Sequence, residues 1–130
     1  MPHLSAIGIV SKDVGASIRF YTLLGLAFPQ PEGDGDHIEA TLPGGLRVML
    51  DSLELMKKLD PLWTQPNGHR MGLAFECGSP ADVDALHARV ISAGHASKTA
   101  PWDAFWGQRY AQVIDPDDNV VDLFAKLPAG

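Results

Sequence analysis

The chain has 130 residues, 45% of them hydrophobic and 20% charged, which is the make-up of an ordinary globular protein of single-domain size and excludes disordered or collagen-like chains. Its formal net charge is −6, and its ten Lys and Arg residues are scattered, with Lys57-Lys58 the only adjacent pair, which opposes a phosphate backbone and argues against a nucleic-acid partner. No apolar run approaches the roughly 18 residues of a membrane span, and Met1-Pro2-His3-Leu4-Ser5 lacks the basic and apolar regions of a signal peptide, so the expectation is a cytoplasmic protein without a membrane partner.

In chain order, Leu4–Val10 reads as a strand. Asp13–Leu23 carries Val14, Ile18 and Tyr21 at helical spacing, and Gly25 is its stop signal. Leu26–Phe28, His37–Leu42 and Gly45–Leu50 read as three further strands, separated by the turn-rich segments Pro31–Asp36 and Pro43-Gly44-Gly45. Within residues 52–68, Ser52–Leu59 has the pattern of a short helix, and Asp60–Gly68, with two prolines and a terminal Asn-Gly, reads as a linker. The same order then repeats. A strand is predicted over Arg70–Cys77, where the lone Cys77 closely follows an apolar run and reads as a buried, inert thiol. A helix follows over Pro80–Ala93, with Ser79 as N-cap, Pro80 at the first position and Gly94 as stop. His95–Lys98, Gln108–Ile114 and Asn119–Phe124 are strands, the last two joined by the turn Asp115-Pro116-Asp117-Asp118. These elements define an α+β fold of two βαβββ modules, approximately 3–51 and 69–126, in one domain over 1–130 with a linker over 52–68.

Alternation along the strands separates two faces. Ile7, Ile9, Ile38, Ala40, Leu42, Leu46, Val48, Leu50, Leu73, Phe75, Ala111, Val113, Val121 and Leu123 form an apolar set that belongs under the helices. The opposite set mixes Ala6, Gly8, Gly72 and Ala74 with His37, Glu39, Thr41, Arg47, Met49, Asp51, Gln108, Tyr110, Gln112, Asp122 and Phe124. A solvent-facing sheet accounts for the polar members. It does not account for the small residues, which sacrifice packing and mark places where something approaches the backbone, so this face also reads as the floor of a cavity.

Asp13-x-x-x-Ser17-Ile18-x-Phe20-Tyr21-x-x-Leu24-Gly25-Leu26 and Asp115-Pro116-Asp117-x-Asn119-x-Val121-Asp122-Leu123-Phe124 resemble the vicinal-oxygen-chelate superfamily of glyoxalases, ring-cleaving dioxygenases and bleomycin-resistance proteins. The resemblance implies paired βαβββ modules whose sheets curve into a cup, and a homodimer. Metal-dependent members place His or Glu at positions matched here by Ala6, Met49, Gly72 and Asp122. Three of these offer no oxygen or nitrogen ligand, so neither a metal nor another cofactor is expected; His69 reaches a metal position only after a register shift. His69-Arg70, Pro101-Trp102, Trp106-Gly107-Gln108-Arg109-Tyr110 and Asn119–Ala125 resemble more closely the mitomycin-resistance type of drug-binding protein, which sequesters an antibiotic without altering it.

Trp102, Phe105 and Trp106 read as aromatics of a loop between a short strand and a long one, either packed on the domain or lining a site. His37 admits two readings: an exposed histidine at a strand start, or, as the resemblance implies, one side of a stack completed by Trp106. His3, His87 and His95 read as surface residues. The expected ligand-binding set is His37, Glu39, Met49, Asp51, Trp63, Trp102, Trp106, Gln108, Tyr110 and Asp122, with no catalytic residue. The expected function is non-catalytic sequestration of a planar aromatic natural product, an antibiotic self-resistance role. The rival readings are a metal-independent isomerase, lyase or cyclase using Glu39, Asp51 or Asp122 as base in the same cup, and a binding module for an ordinary cofactor such as a flavin.

Overall fold

The computed structural model describes residues 1–31, 33–68 and 71–129, so His69 and Arg70 lie outside the described residues. The chain divides into two compact units, Met1–Pro66 and Asn67–Gly130.

In the first unit, β1 (Ala6–Ser11) leads into α1 (Val14–Leu23), and β2 (His37–Thr41) and β3 (Arg47–Ser52) complete a three-stranded sheet in the order β1-β3-β2. β1 runs parallel to β3, and β2 antiparallel to it. The Asp13 carboxylate caps α1 by accepting from Ala16 N at 3.0 Å. At the other end the Leu26 N–H donates to Tyr21 O and the Gly25 N–H to Thr22 O, a closure that needs the positive φ of +97° at Gly25. α2 (Leu53–Leu59) leaves β3 directly, with Ser52 as its N-cap, as the helical pattern of Ser52–Leu59 implied.

Leu26–Phe28, expected as a strand, is not one. Leu26 is instead the buried apolar residue that follows the Gly25 closure, and Pro29 and Pro31 remove ladder donors immediately downstream. The first unit is therefore βαββ among its described residues.

The second unit has the full βαβββ order: β4 (Leu73–Glu76), α3 (Pro80–Ser92), β5 (Ala96–Ala104), β6 (Gln108–Ile114) and β7 (Val120–Lys126), in a four-stranded sheet ordered β4-β7-β6-β5. α3 ends as α1 does, with His95 N donating to Val90 O and Gly94 N to Ile91 O, so the repeat extends to the helix stops. β5 runs well past its expected end at Lys98, and Trp102 therefore lies on a strand, opposite Tyr110. Pro101 is compatible with that because β5 is an edge strand with register shifts on either side of Thr99. His87, expected at the surface, is half-buried and bonded to Ser97 Oγ at 2.8 Å; burial lowers its imidazole pKa.

The helix-side set forms the cores. Ile38, Ala40, Val48 and Leu50 are buried beside Phe20 and Tyr21 in the first unit, and Ala111, Val113, Val121 and Leu123 beside Val83 and Val90 in the second. Cys77 is half-buried, and desolvation, then the charge of Asp82, pushes its thiol pKa up, away from thiolate chemistry. Among the described residues no helix is long and apolar enough to cross a membrane.

The turn between β6 and β7 is locked by Asp115, which is 3% exposed. Its Oδ1 accepts from the backbone N–H groups of Asp117 and Asn119, both at 2.8 Å, and its Oδ2 from Asn119 Nδ2 at 2.9 Å. Asp115→Ala should lower unfolding free energy by about 1.5–3 kcal/mol, because charge-assisted bonds to buried donors are lost together. Urea unfolding with an unchanged slope checks this; a loss no larger than a surface substitution's would show that the turn does not depend on the carboxylate.

Candidate functional site

The face of each sheet turned away from its helix carries a connected set of polar side chains. On the first sheet, register aligns Ala6-Arg47-Thr41, Gly8-Met49-Glu39 and Val10-Asp51-His37 across the three strands. His37 sits between two carboxylates: Nδ1 makes a short hydrogen bond to Asp51 Oδ1, and Nε2 lies 2.8 Å from Glu39 Oε2. Arg47 Nη1 donates to both Glu39 oxygens at 3.1 Å, and Nη2 to Ser5 Oγ at 3.1 Å. The hydrogen bond to Asp51, followed by that to Glu39, raises the His37 pKa above its ordinary 6.5. The bond from His37, followed by that from Arg47, lowers Glu39.

Met49 is half-buried in the middle of this face. A Cβ on Gly8 would meet Met49 Cε at 3.5 Å and Asp51 Oδ2 at 3.9 Å, so the close approach that a strand glycine implied is made at Gly8 by the protein's own Met49. At Gly72, just before β4, the corresponding space is open.

On the second sheet, register aligns Ala74-Asp122-Gln112-Thr99 and Glu76-Phe124-Tyr110-Trp102. Thr99 Oγ1 donates to Gln112 Oε1 at 2.9 Å, and Gln112 Nε2 donates to Asp122 Oδ1 at 2.9 Å. Desolvation first, then the neighbouring Asp122 carboxylate, pushes the Tyr110 pKa up to about 12, so its hydroxyl is neutral at any physiological pH.

Beside this row stands an aromatic cluster. Trp106 packs edge-to-face against Trp102, Phe105 and Tyr110, with centroid separations of 5.5, 4.9 and 5.2 Å, the arrangement that ring quadrupoles favour. Trp106 Nε1 donates to Gln108 Oε1 at 2.8 Å. Gly107, with φ of +93°, makes the turn that brings Trp106 back over β6. On the opposite face, Arg109 grips Asp84 of α3 through Nε and Nη2 at 2.9 and 3.1 Å, and Asp103 of β5 through Nη1 at 3.1 Å. The hairpin bearing the aromatics is thus tied to α3.

His37, Glu39, Asp51 and Met49 come together on the first sheet, and Trp102, Trp106, Gln108, Tyr110 and Asp122 on the second. Trp63 lies in the segment after α2, half-buried, its backbone N–H donating to Asp60 O, and belongs to neither network. Arg47 could not be assigned a partner from sequence; the two-residue period placed it on the right face, where its side chain reaches diagonally to Glu39. Thr99 was missed because β5 was ended at Lys98 although it runs to Ala104, and Ser5 because it was read as part of a strand that in fact starts at Ala6.

Among the described residues no group of three or more His, Cys, Asp or Glu side chains could hold a metal ion. Ala6, Met49 and Gly72 supply no oxygen or nitrogen ligand, and Asp122 already accepts from Gln112. This donor set does not fit a divalent catalytic metal.

Each unit is thus a helix-backed mixed sheet with a functionalised open face, the architecture of a paired-module α+β protein. Residues 3–123 match the profile of the Glyoxalase/Bleomycin resistance protein/Dioxygenase superfamily, and the chain belongs to that family. Among solved structures, a glyoxalase/bleomycin resistance protein/dioxygenase from Nocardioides is 25% identical, with a TM-score of 0.76 over 100% of this chain and 87% of that one. A family enzyme from Burkholderia phytofirmans PsJN is 22% identical, with a TM-score of 0.83 over 97% of this chain and 100% of that one. A glyoxalase-related enzyme from Fulvimarina pelagi is 19% identical, with a TM-score of 0.82 over 97% and 89%; at such identities these last two likenesses show the fold alone. No curated protein matches the chain significantly.

The His37 clamp makes a prediction with a definite sign. An NMR titration should place the imidazole midpoint above 6.5, and Asp51→Asn should lower it. Because the folded value exceeds the unfolded one, this contribution to stability is fully present below the unfolded midpoint of about 6.5 and is lost as pH rises through the folded one. A midpoint at or below the unfolded value would contradict the two-carboxylate clamp.

Proposed function

We propose that this protein binds a planar aromatic small molecule without transforming it, in the manner of the mitomycin-resistance type of drug-binding protein that its sequence resembles, and protects by sequestration. The observation that carries the reading is the aromatic cluster. Trp102 and Trp106 remain 39% and 47% exposed although each is fixed by perpendicular neighbours, and Trp106 also by Gln108. Large rings held rigid yet left partly wet are ready-made stacking surface, and no ordering cost remains to be met when a ligand arrives.

The polar groups support binding over catalysis. A general base must reach its proton and titrate near the working pH, whereas Glu39 is held by both His37 and Arg47 and lowered. Asp51 is engaged by His37, and Asp122 by Gln112. These are groups held in place by neighbours, suited to orienting a ligand. A small-molecule partner also suits a chain with net charge −6 better than a nucleic acid does.

Trp106→Ala should weaken binding of the aromatic ligand by about 1–3 kcal/mol, and Trp106→Phe by less. His37→Ala tests the same role on the first sheet, and Lys57→Ala, on exposed α2, should have no effect. Titration against quinones, flavins and peptides, followed by tryptophan fluorescence, with mass analysis of recovered ligand, decides the matter. Unchanged affinity in Trp106→Ala refutes the stacking role; a recovered ligand of altered mass, or of the same mass but altered chromatographic retention or NMR spectrum, makes the protein an enzyme.

The resemblance further implies a homodimer, and we propose that assembly here. Native mass spectrometry should find twice the 14.0 kDa chain mass with no metal adduct. A monomer that binds ligand fully, or one metal per chain whose removal abolishes binding, would count against these two points respectively.

A further inference from the structure

The hydrogen bonds of the second sheet's open face have a direction in common. Thr99 Oγ1 donates to Gln112 Oε1, Gln112 Nε2 to Asp122 Oδ1, and Trp106 Nε1 to Gln108 Oε1. Each of these donors is engaged by a neighbour on the same face. Their acceptor capacity is not used up in the same way. A hydroxyl that donates once still has lone pairs, an amide oxygen takes two bonds, and a carboxylate takes about four. Along the row Thr99-Gln112-Asp122, the face therefore offers a ligand mainly oxygen lone pairs and one negative charge. The other charges of this face are at its margins, Glu76 across from Phe124 and Lys126 across from Gln108.

The first sheet, taken by itself, follows the same rule. Both ring nitrogens of His37 face carboxylates, and Arg47 Nη1 and Nη2 donate to Glu39 and Ser5. Its positive groups are turned to its own acidic ones.

Resting on the aromatic-binding reading, we propose that the ligand carries hydrogen-bond donors on its ring system, amino, amido or hydroxyl groups, and that the Asp122-Gln112-Thr99 row selects for them beside the Trp106 stack. An aromatic bearing only acceptors, or an anionic substituent, would bring lone pairs against lone pairs and leave the face's oxygens desolvated without partners, which is the costly outcome of burying unmatched polar groups. A donor-bearing ring gives these oxygens partners in place of solvent.

Three ligands of one ring system separate the possibilities: 2-aminoanthraquinone, 2-(dimethylamino)anthraquinone and anthraquinone-2-carboxylate, titrated by tryptophan quenching and calorimetry. The amino compound should bind roughly tenfold more tightly than its dimethyl analogue, the discrimination expected for one satisfied bond to a charged acceptor. The carboxylate should bind more weakly than both. In Asp122→Asn, the amino-to-dimethylamino ratio should fall well below the wild-type one; if that variant does not fold, the wild-type ratios decide. Equal affinity for the amino and dimethylamino compounds, or a preference for the carboxylate, overturns the selection for donors and leaves aromatic binding intact. Failure of all three to bind overturns both.

Discussion

The two-residue period of the strands is the constraint on which this molecule depends. Once Ile38, Ala40, Val48 and Leu50 are committed to the core under α1, and Val113, Val121 and Leu123 to the core under α3, the intervening residues must all emerge on the other face. A slip of one residue would bury His37, Glu39 and Asp51 and expose the core, so hydrophobic burial fixes the register. The register in turn fixes which polar groups become neighbours. His37 meets Asp51 because they are cross-strand partners in the β2–β3 ladder, and Gln112 meets Asp122 for the same reason in β6–β7.

Neighbouring then determines chemistry. A carboxylate at the position of Asp122 could ligate a metal, but here it accepts from Gln112, and the matching positions are Ala6, Met49 and Gly72. Glu39 and Asp51 have the residue types of a general base, yet each is bonded to His37, and Arg47 closes the chain. Each of these carboxylates is thus held by a neighbour on its own face. Local low dielectric strengthens such networks when every member is paired.

The second sheet adds shape to this chemistry. The irregular register of β5 carries Thr99 and Trp102 to the same face, opposite Gln112 and Tyr110 respectively, because the extra residue of a bulge shifts the alternation. Gly107 turns the hairpin, and Arg109, pointing to the helix side, ties it to Asp84. An aromatic cluster whose rings are held by one another and whose strand is anchored from behind presents a fixed surface.

The sequence by itself determined the α+β class, the helices α1 and α3 with their glycine stops, the Ser79 cap of α3, the order of elements in the second unit, and the division of strand residues between core and open face. These follow from local periodicity and capping, which act over a few residues and leave their mark in the order of side chains. It also brought His37, Glu39, Asp51, Tyr110 and Asp122 to the correct faces. It missed the length of β5, since Pro101 signals a break and only the edge position and the bulge make it acceptable in a strand. It extended a strand through Leu26–Phe28, where the helix closure at Gly25 uses Leu26 instead. The partners of Arg47, Arg109 and Asp122 were decided only by tertiary structure, because a charged side chain pairs with whatever the register and the packed helix bring within about 3 Å, and that distance is set by residues far away in the chain.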